Sequence, residues 1–170
     1  MRPARHTAYV GIGANLGDRL AALRAAVRRL GRGPGTRVPR CSPVYETAPW
    51  GPVPDQPAFL NAVCEVVTTR APRGLLAHLL AIEAALGRVR GVAQGPRTID
   101  LDLLLYDDLV LTEPGLVVPH PRLHERAFVL APLADLAPDL RHPVRGATVR
   151  ELLGVIGTAG VARVEGAALG

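Results

Sequence analysis

The chain has 170 residues, 48% of them hydrophobic, which is enough for one domain with a sizeable core, and a formal net charge of +5. All 20 of its basic residues are arginine, which excludes lysine Schiff-base chemistry and the phosphate-binding lysine of a Walker A loop. Only 4% of residues are aromatic and no RNA- or DNA-binding motif is present, so the charge is read as compositional bias and no nucleic-acid partner is expected.

The basic start, Met1 to His6, is not followed by an apolar stretch of leader type, and no run approaches membrane-spanning length. A cytoplasmic protein with no membrane partner is expected. Thr7 to Ile12 reads as a first strand. It ends in Gly11-Ile12-Gly13-Ala14-Asn15-Leu16-Gly17-Asp18, after which Leu16, Leu20, Leu23, Val27 and Leu30 fall at helical spacing and Gly31 marks a stop. A glycine-rich turn from strand to helix can cradle phosphate, but this one lacks the G-x-G-x-x-G spacing, which favours a tight turn packing helix on sheet.

Val38 to Thr47 reads as a second strand. Ala48 to Pro57 follows as a loop with four prolines and the sole tryptophan, Trp50; missing amide donors keep it out of a sheet, and an ordered loop of this kind is often a lid. Ala58 to Thr69 is a third strand. It puts Phe59 and Asn61 on one face, where by spacing alone they serve equally as a core ring and an edge amide or as ligand contacts. Cys41 and Cys64 lie in apolar, strand-like segments and read as core residues rather than as a disulfide or metal pair.

Pro72 opens a helix at a favoured first position, Leu75, Leu76, Leu79, Leu80, Ile82 and Leu86 form its buried stripe, and Gly87 is a natural stop. Glu83 sits in the last turn, where the helix dipole disfavours an acid; a specific partner or a surface ion pair would account for it. The basic loop Arg88-Val89-Arg90-Gly91-Val92-Ala93-Gln94 then leads into Gly95-Pro96-Arg97-Thr98-Ile99-Asp100-Leu101-Asp102-Leu103-Leu104-Leu105-Tyr106.

That last stretch organises the chain. It reads as a buried strand whose Asp100 and Asp102 point the same way, roughly 7 Å apart at about 3.3 Å per residue, with Ile99, Leu101, Leu103 and Leu105 on the opposite face. Two carboxylates in so apolar a setting need a cation beside them, and hard oxygen ligands suit Mg²⁺ shared with substrate phosphates. Arg97 offers a planar fork to a phosphate. The alternative is the solvated face of an edge strand; the Gly-Pro-Arg entry and the long apolar run favour the metal and phosphate site.

Short strand-like pieces follow Tyr106-Asp107-Asp108. His120 and His124 have the spacing of half a helical zinc site, but Pro121 disrupts the helix and no third ligand is evident. Ala127 to Leu136 and Thr148 to Ile156 read as short helices, the second capped by Thr148, and residues 158–170 are expected to fray.

Taken together, GIGANLGD, YETAPWGPVPDQPAFLNAV, IEAALGRVRG, GPRTIDLDLLLY and VPHPRLHERAFVLAPL resemble, in order and spacing, the 6-hydroxymethyl-7,8-dihydropterin pyrophosphokinase family. The resemblance covers nearly the whole chain. It implies one α+β, ferredoxin-like domain, an antiparallel sheet flanked by helices in three layers. It also implies transfer of the β,γ-pyrophosphate of ATP to the pterin hydroxymethyl group, with release of AMP. A monomer is expected.

The same resemblance assigns roles. Asp100 and Asp102 correspond to ligands of two Mg²⁺ ions. Glu83, Arg88, Arg97, His120 and Arg126 correspond to ATP-binding positions, and Thr47, Trp50, Phe59, Asn61 and Phe128 to the pterin pocket. Arg88 and Arg97, with the two aspartates, are the expected catalytic groups, neutralising charge on the transferred and leaving oxygens. The residues themselves agree: Phe59 and Phe128 are the only phenylalanines, and a flat heterocycle needs two ring faces, while Asn61 can read an amide-like edge. The chain departs from the family at Gln94, where an aromatic is usual, and at Pro121, where some members carry tyrosine. Competing expectations are another Mg²⁺-dependent nucleotidyl or phosphodiester enzyme, or a non-catalytic basic RNA-binding module.

Overall fold

The computed structural model describes residues 2–48, 57–87 and 98–169. In chain order the elements are β1 (His6–Ala14), α1 (Arg19–Arg32), β2 (Thr36–Cys41), β3 (Tyr45–Thr47), β4 (Phe59–Thr68), α2 (Pro72–Ala85) and β5 (Asp100–Tyr106). A small hairpin of β6 (Leu111–Glu113) and β7 (Leu116–Val118) follows, then a 3₁₀ turn (Leu123–Glu125), α3 (Ala127–Leu136), α4 (Val149–Ile156) and β8 (Val161–Arg163).

The main sheet runs β5-β1-β4-β3-β8, with β2 also on β4, and every pairing is antiparallel. Alternation along the strands divides the core in two. Ala8, Val10 and Ile12 pack with Leu23, Leu30, Leu75 and Leu79 beneath α1 and α2. Tyr9, Val63, Leu104 and Leu105 pack with Leu130, Leu133 and Val149 beneath α3 and α4. This is the α+β, three-layer arrangement expected. Among the described residues, no helix is long and apolar enough to cross a membrane.

Four details differ from the sequence reading. The second strand is broken, because Ser42 satisfies Val63 with its own backbone N–H (2.8 Å) and side-chain oxygen (2.9 Å), and Pro43 has no amide to continue the ladder. The first helix runs past Gly31 to Arg32; Gly33 takes extended angles (φ −62°, ψ 139°), as expected of the residue before Pro34. In β5 the register against β1 shifts between Tyr9 and Val10, which places Leu104 and Leu105 together on the α3 face while Leu103 and Tyr106 face α1 and α2.

The fourth is the tail. Within residues 158–170, Val161–Arg163 pairs with β3, Val164 N–H donates to Val44 O (2.8 Å) and Leu169 is buried, so this segment is not frayed. Its reason is the three-residue β3, which would otherwise present an open edge. Cys41 and Cys64 face each other across β2 and β4 as free thiols, their sulfurs 3.0 Å apart.

Thr148 caps α4 as expected and forms a reciprocal box: its hydroxyl accepts from Glu151 N–H (3.1 Å) and Glu151 Oε1 accepts from Thr148 N–H (3.2 Å). Thr148→Ala should lower unfolding free energy by about 1 kcal/mol in a urea titration, leaving the pocket untouched.

Candidate active site

The site begins with an absence of side chains. On the α3 face of β1, Gly13 lies between Asn61 of β4 and Asp100 of β5, and Gly11 faces Asp102. Two glycines at i and i+2 on this interior strand leave a flat floor. The side chains on either side stand two strand spacings apart, about 10 Å. The result is a slot of about 780 Å³, open mouth included, lined on one side by Thr47, Phe59 and Asn61 and on the other by Asp100 and Asp102. Arg126 and Phe128, at the start of α3, lie over it, with the Arg126 guanidinium 5.4 Å from the Phe128 ring centroid.

Asp100 and Asp102 share the slot face, as their spacing requires. Asn61 is buried and its amide donates to Thr47 Oγ1 (2.8 Å), which fixes the plane of the amide. A Cβ on Gly13 would stand 2.5 Å from Asn61 Oδ1, so the glycine and the asparagine orientation are one feature. Phe59 pairs with Thr47 across β3 and β4 and presents its ring at the edge of the slot.

A second cavity, of about 650 Å³, lies on the other side of β5. Its lining includes Leu101, Leu116 and His120, and it shares Asp102 with the first. His120 N–H donates to Leu104 O at the strand irregularity (2.9 Å), anchoring this segment to β5. Burial, together with Arg126 and Arg122, lowers the His120 pKa to about 4 against the opposing pull of Asp100. The ring is therefore neutral near pH 7. Its Nδ1 accepts from Arg122 N–H (3.1 Å), which puts the proton on Nε2 as a hydrogen-bond donor. Burial also lowers the Arg126 pKa, with Asp102 and Asp100 opposing.

Glu83 is not a surface acid. It is 3% exposed, and its Oε2 accepts Leu101 N–H (2.8 Å), the amide between the two aspartates. The acid in the last turn of α2 therefore has a specific partner, the outer edge of β5. Trp50, Arg88 and Arg97, with Arg90 and Gln94, lie outside the described residues. The structure thus brings together Thr47, Phe59, Asn61, Asp100, Asp102, Arg126 and Phe128, and places His120 and Glu83 at β5. Sequence reasoning missed Gly11 and Gly13 as the floor. Their signal was the i, i+2 spacing in a segment already read as a strand.

Comparison with known proteins supplies an independent line. Residues 9–138 match the family model for 7,8-dihydro-6-hydroxymethylpterin-pyrophosphokinase (HPPK). The chain is 49% identical over 158 residues to the 2-amino-4-hydroxy-6-hydroxymethyldihydropteridine pyrophosphokinase of Methylorubrum extorquens, covering 93% of this chain and 98% of that one. It is 47% identical over 159 residues to the Pseudomonas aeruginosa protein of the same name, covering 94% and 97%. Among solved structures, a Plasmodium falciparum HPPK-DHPS matches with a TM-score of 0.73 at 16% identity, over 95% of this chain and 49% of that chain. This chain spans about half of that longer protein, and the likeness there is one of fold.

Proposed function

The chain belongs to the 7,8-dihydro-6-hydroxymethylpterin-pyrophosphokinase family, and from that premise we propose how its residues divide the work. The reaction is pyrophosphoryl transfer from ATP, the co-substrate, to 6-hydroxymethyl-7,8-dihydropterin, a step of folate biosynthesis. The observation that carries the division of roles is the glycine-floored slot, which sets an amide and two rings opposite a carboxylate pair and shares Asp102 with a second cavity.

The slot takes the pterin. Phe59 and Phe128 hold its two faces, and Asn61 reads its amide-like edge. The bond to Thr47 uses one Asn61 N–H; the second N–H and Oδ1 form a donor–acceptor pair for that edge. Trp50 completes the cover. The second cavity takes ATP, with His120 donating from Nε2 and Glu83 serving the nucleotide side while it holds β5 through Leu101; Arg126, over the slot, faces the phosphates that reach it.

Asp100 and Asp102 fit Mg²⁺: both are hard oxygen donors on one strand face, and two carboxylates completed by phosphate oxygens and water are the usual protein share for this ion. Two ions are proposed, and when bound they supply charge neutralisation on the triphosphate and a lowered pKa for the attacking hydroxyl. Arg88 and Arg97 neutralise the transferred and leaving oxygens. The protein's own contribution is position: Asn61 and the rings fix the hydroxymethyl group toward the aspartate side, where the triphosphate is held. The reading extends to a monomer without a nucleic-acid partner, and to the cytoplasm, where the facing thiols of Cys41 and Cys64 stay reduced.

Incubation with Mg-ATP and the hydroxymethyldihydropterin should give pterin-dependent AMP; ADP, or no product, overturns the reading. In the same assay series Asn61→Ala and Phe128→Ala should each weaken pterin binding about tenfold, with ATP affinity unchanged. Equal loss for both ligands would make these residues structural.

A further inference from the structure

Behind the Asn61 side of the slot, three side chains from three elements meet. Tyr45 stands opposite Asn61 in the pairing of β3 with β4 and is buried at 8% exposure. Its hydroxyl donates to Asp135, in the last turn of α3. Arg163 of β8 donates to the other Asp135 oxygen (2.9 Å) and to the Tyr45 hydroxyl (3.4 Å), and its guanidinium lies 5.8 Å from the Tyr45 ring centroid. An acid at a helix C-terminus opposes the helix dipole, so Asp135 is held there by these two partners and not by the helix.

The junction ties the parts of the slot that come from different layers. β3 carries Thr47, which orients Asn61, and β8 is what keeps that short strand from being an edge. α3 carries Phe128 and starts beside Arg126, so fixing its far end to β3 sets the height of Phe128 above the Phe59–Asn61 side. We propose that Tyr45, Asp135 and Arg163 are positioning residues for the pterin half of the site: the C-terminal strand holds the spacing between the two rings through this junction. The inference rests on the pterin reading of the slot. It goes beyond that reading by giving the tail segment and three residues outside the slot lining a role in substrate affinity.

The test is calorimetric binding of 6-hydroxymethylpterin in the presence of Mg²⁺ and a non-hydrolysable ATP analogue, with Tyr45→Phe, Arg163→Ala and Arg163→Lys. Tyr45→Phe keeps the ring and loses only the hydroxyl. It and Arg163→Ala should raise the pterin dissociation constant about fivefold or more, with analogue affinity unchanged and kcat at saturating pterin preserved. Arg163→Lys, which keeps the charge toward Asp135, should recover most of the loss. Steady-state kinetics then shows a KM effect for pterin alone. A merely structural role would lower the unfolding midpoint and the bound fraction of both ligands together, leaving the affinity of the folded molecules unchanged, and that result overturns the proposal. Wild-type affinity in Tyr45→Phe overturns it without touching the substrate assignment. Wild-type protein that binds the analogue but no pterin overturns both.

Discussion

Asp102→Ala should produce AMP at least about a thousandfold more slowly than the parent while remaining folded. Asp102 lines both cavities, so in the proposed reading it stands where the pterin hydroxyl and the triphosphate meet. Its loss removes a proposed metal ligand and leaves phosphate charge uncompensated, an effect of several kcal/mol on the transition state at about 1.4 kcal/mol per tenfold. Asp100→Ala should behave alike, because the two carboxylates share one strand face at alternate register positions, opposite Gly13 and Gly11. The fold should tolerate both changes. Asp100 and Asp102 are half-buried at the start of an edge strand whose backbone is held by β1, by Glu83 at Leu101 and by His120 at Leu104. Chromatographic AMP release across a Mg²⁺ titration, with a parallel urea melt, separates the outcomes. Near-normal turnover in either variant would remove the carboxylates from the mechanism. A loss rescued by more Mg²⁺ would still support them.

How much of this was legible depended on whether the information was local. Asp100 and Asp102, and Phe59 and Asn61, were each placed on a common face by strand alternation alone, and the structure keeps them there. α2, α3 and α4 were readable from Pro72, from apolar spacing and from the Thr148 cap. What escaped was set by pairing between distant segments. The break at Ser42–Pro43 depends on Val63; the pairing of Cys41 with Cys64 depends on the register of β2 on β4; the docking of Val161–Arg163 depends on β3 needing a neighbour. Tyr45, Asp135 and Arg163 carry no shared motif, since each is an ordinary residue until the topology joins them. Glu83 was half legible: its position announced a partner, but a backbone amide eighteen positions on has no sequence signature.

Gly13→Ala tests the least visible of these relations. A methyl group there would stand 2.5 Å from Asn61 Oδ1, far inside van der Waals contact, and 3.6 Å from Leu60 O. Gly11 contrasts with it, since the nearest neighbour of a Cβ at that position is the Leu104 side chain, at an ordinary 3.4 Å. β1 is an interior strand, paired on both sides by β5 and β4, so its backbone cannot readily retreat; the Asn61 amide must turn instead. Turning it breaks the bond from Asn61 to Thr47 Oγ1 and misdirects the donor–acceptor pair proposed to read the pterin. Loss of a buried hydrogen bond at about 1–3 kcal/mol predicts a pterin complex weakened about tenfold, the size expected for the asparagine deletion itself. ATP affinity should hold, because the second cavity does not include Gly13. The double variant Gly13→Ala with Asn61→Ala decides the mechanism. If the methyl acts only by displacing the amide, the double variant binds pterin no worse than Asn61→Ala alone; fully additive losses would mean that the methyl instead fills the slot floor against the ligand.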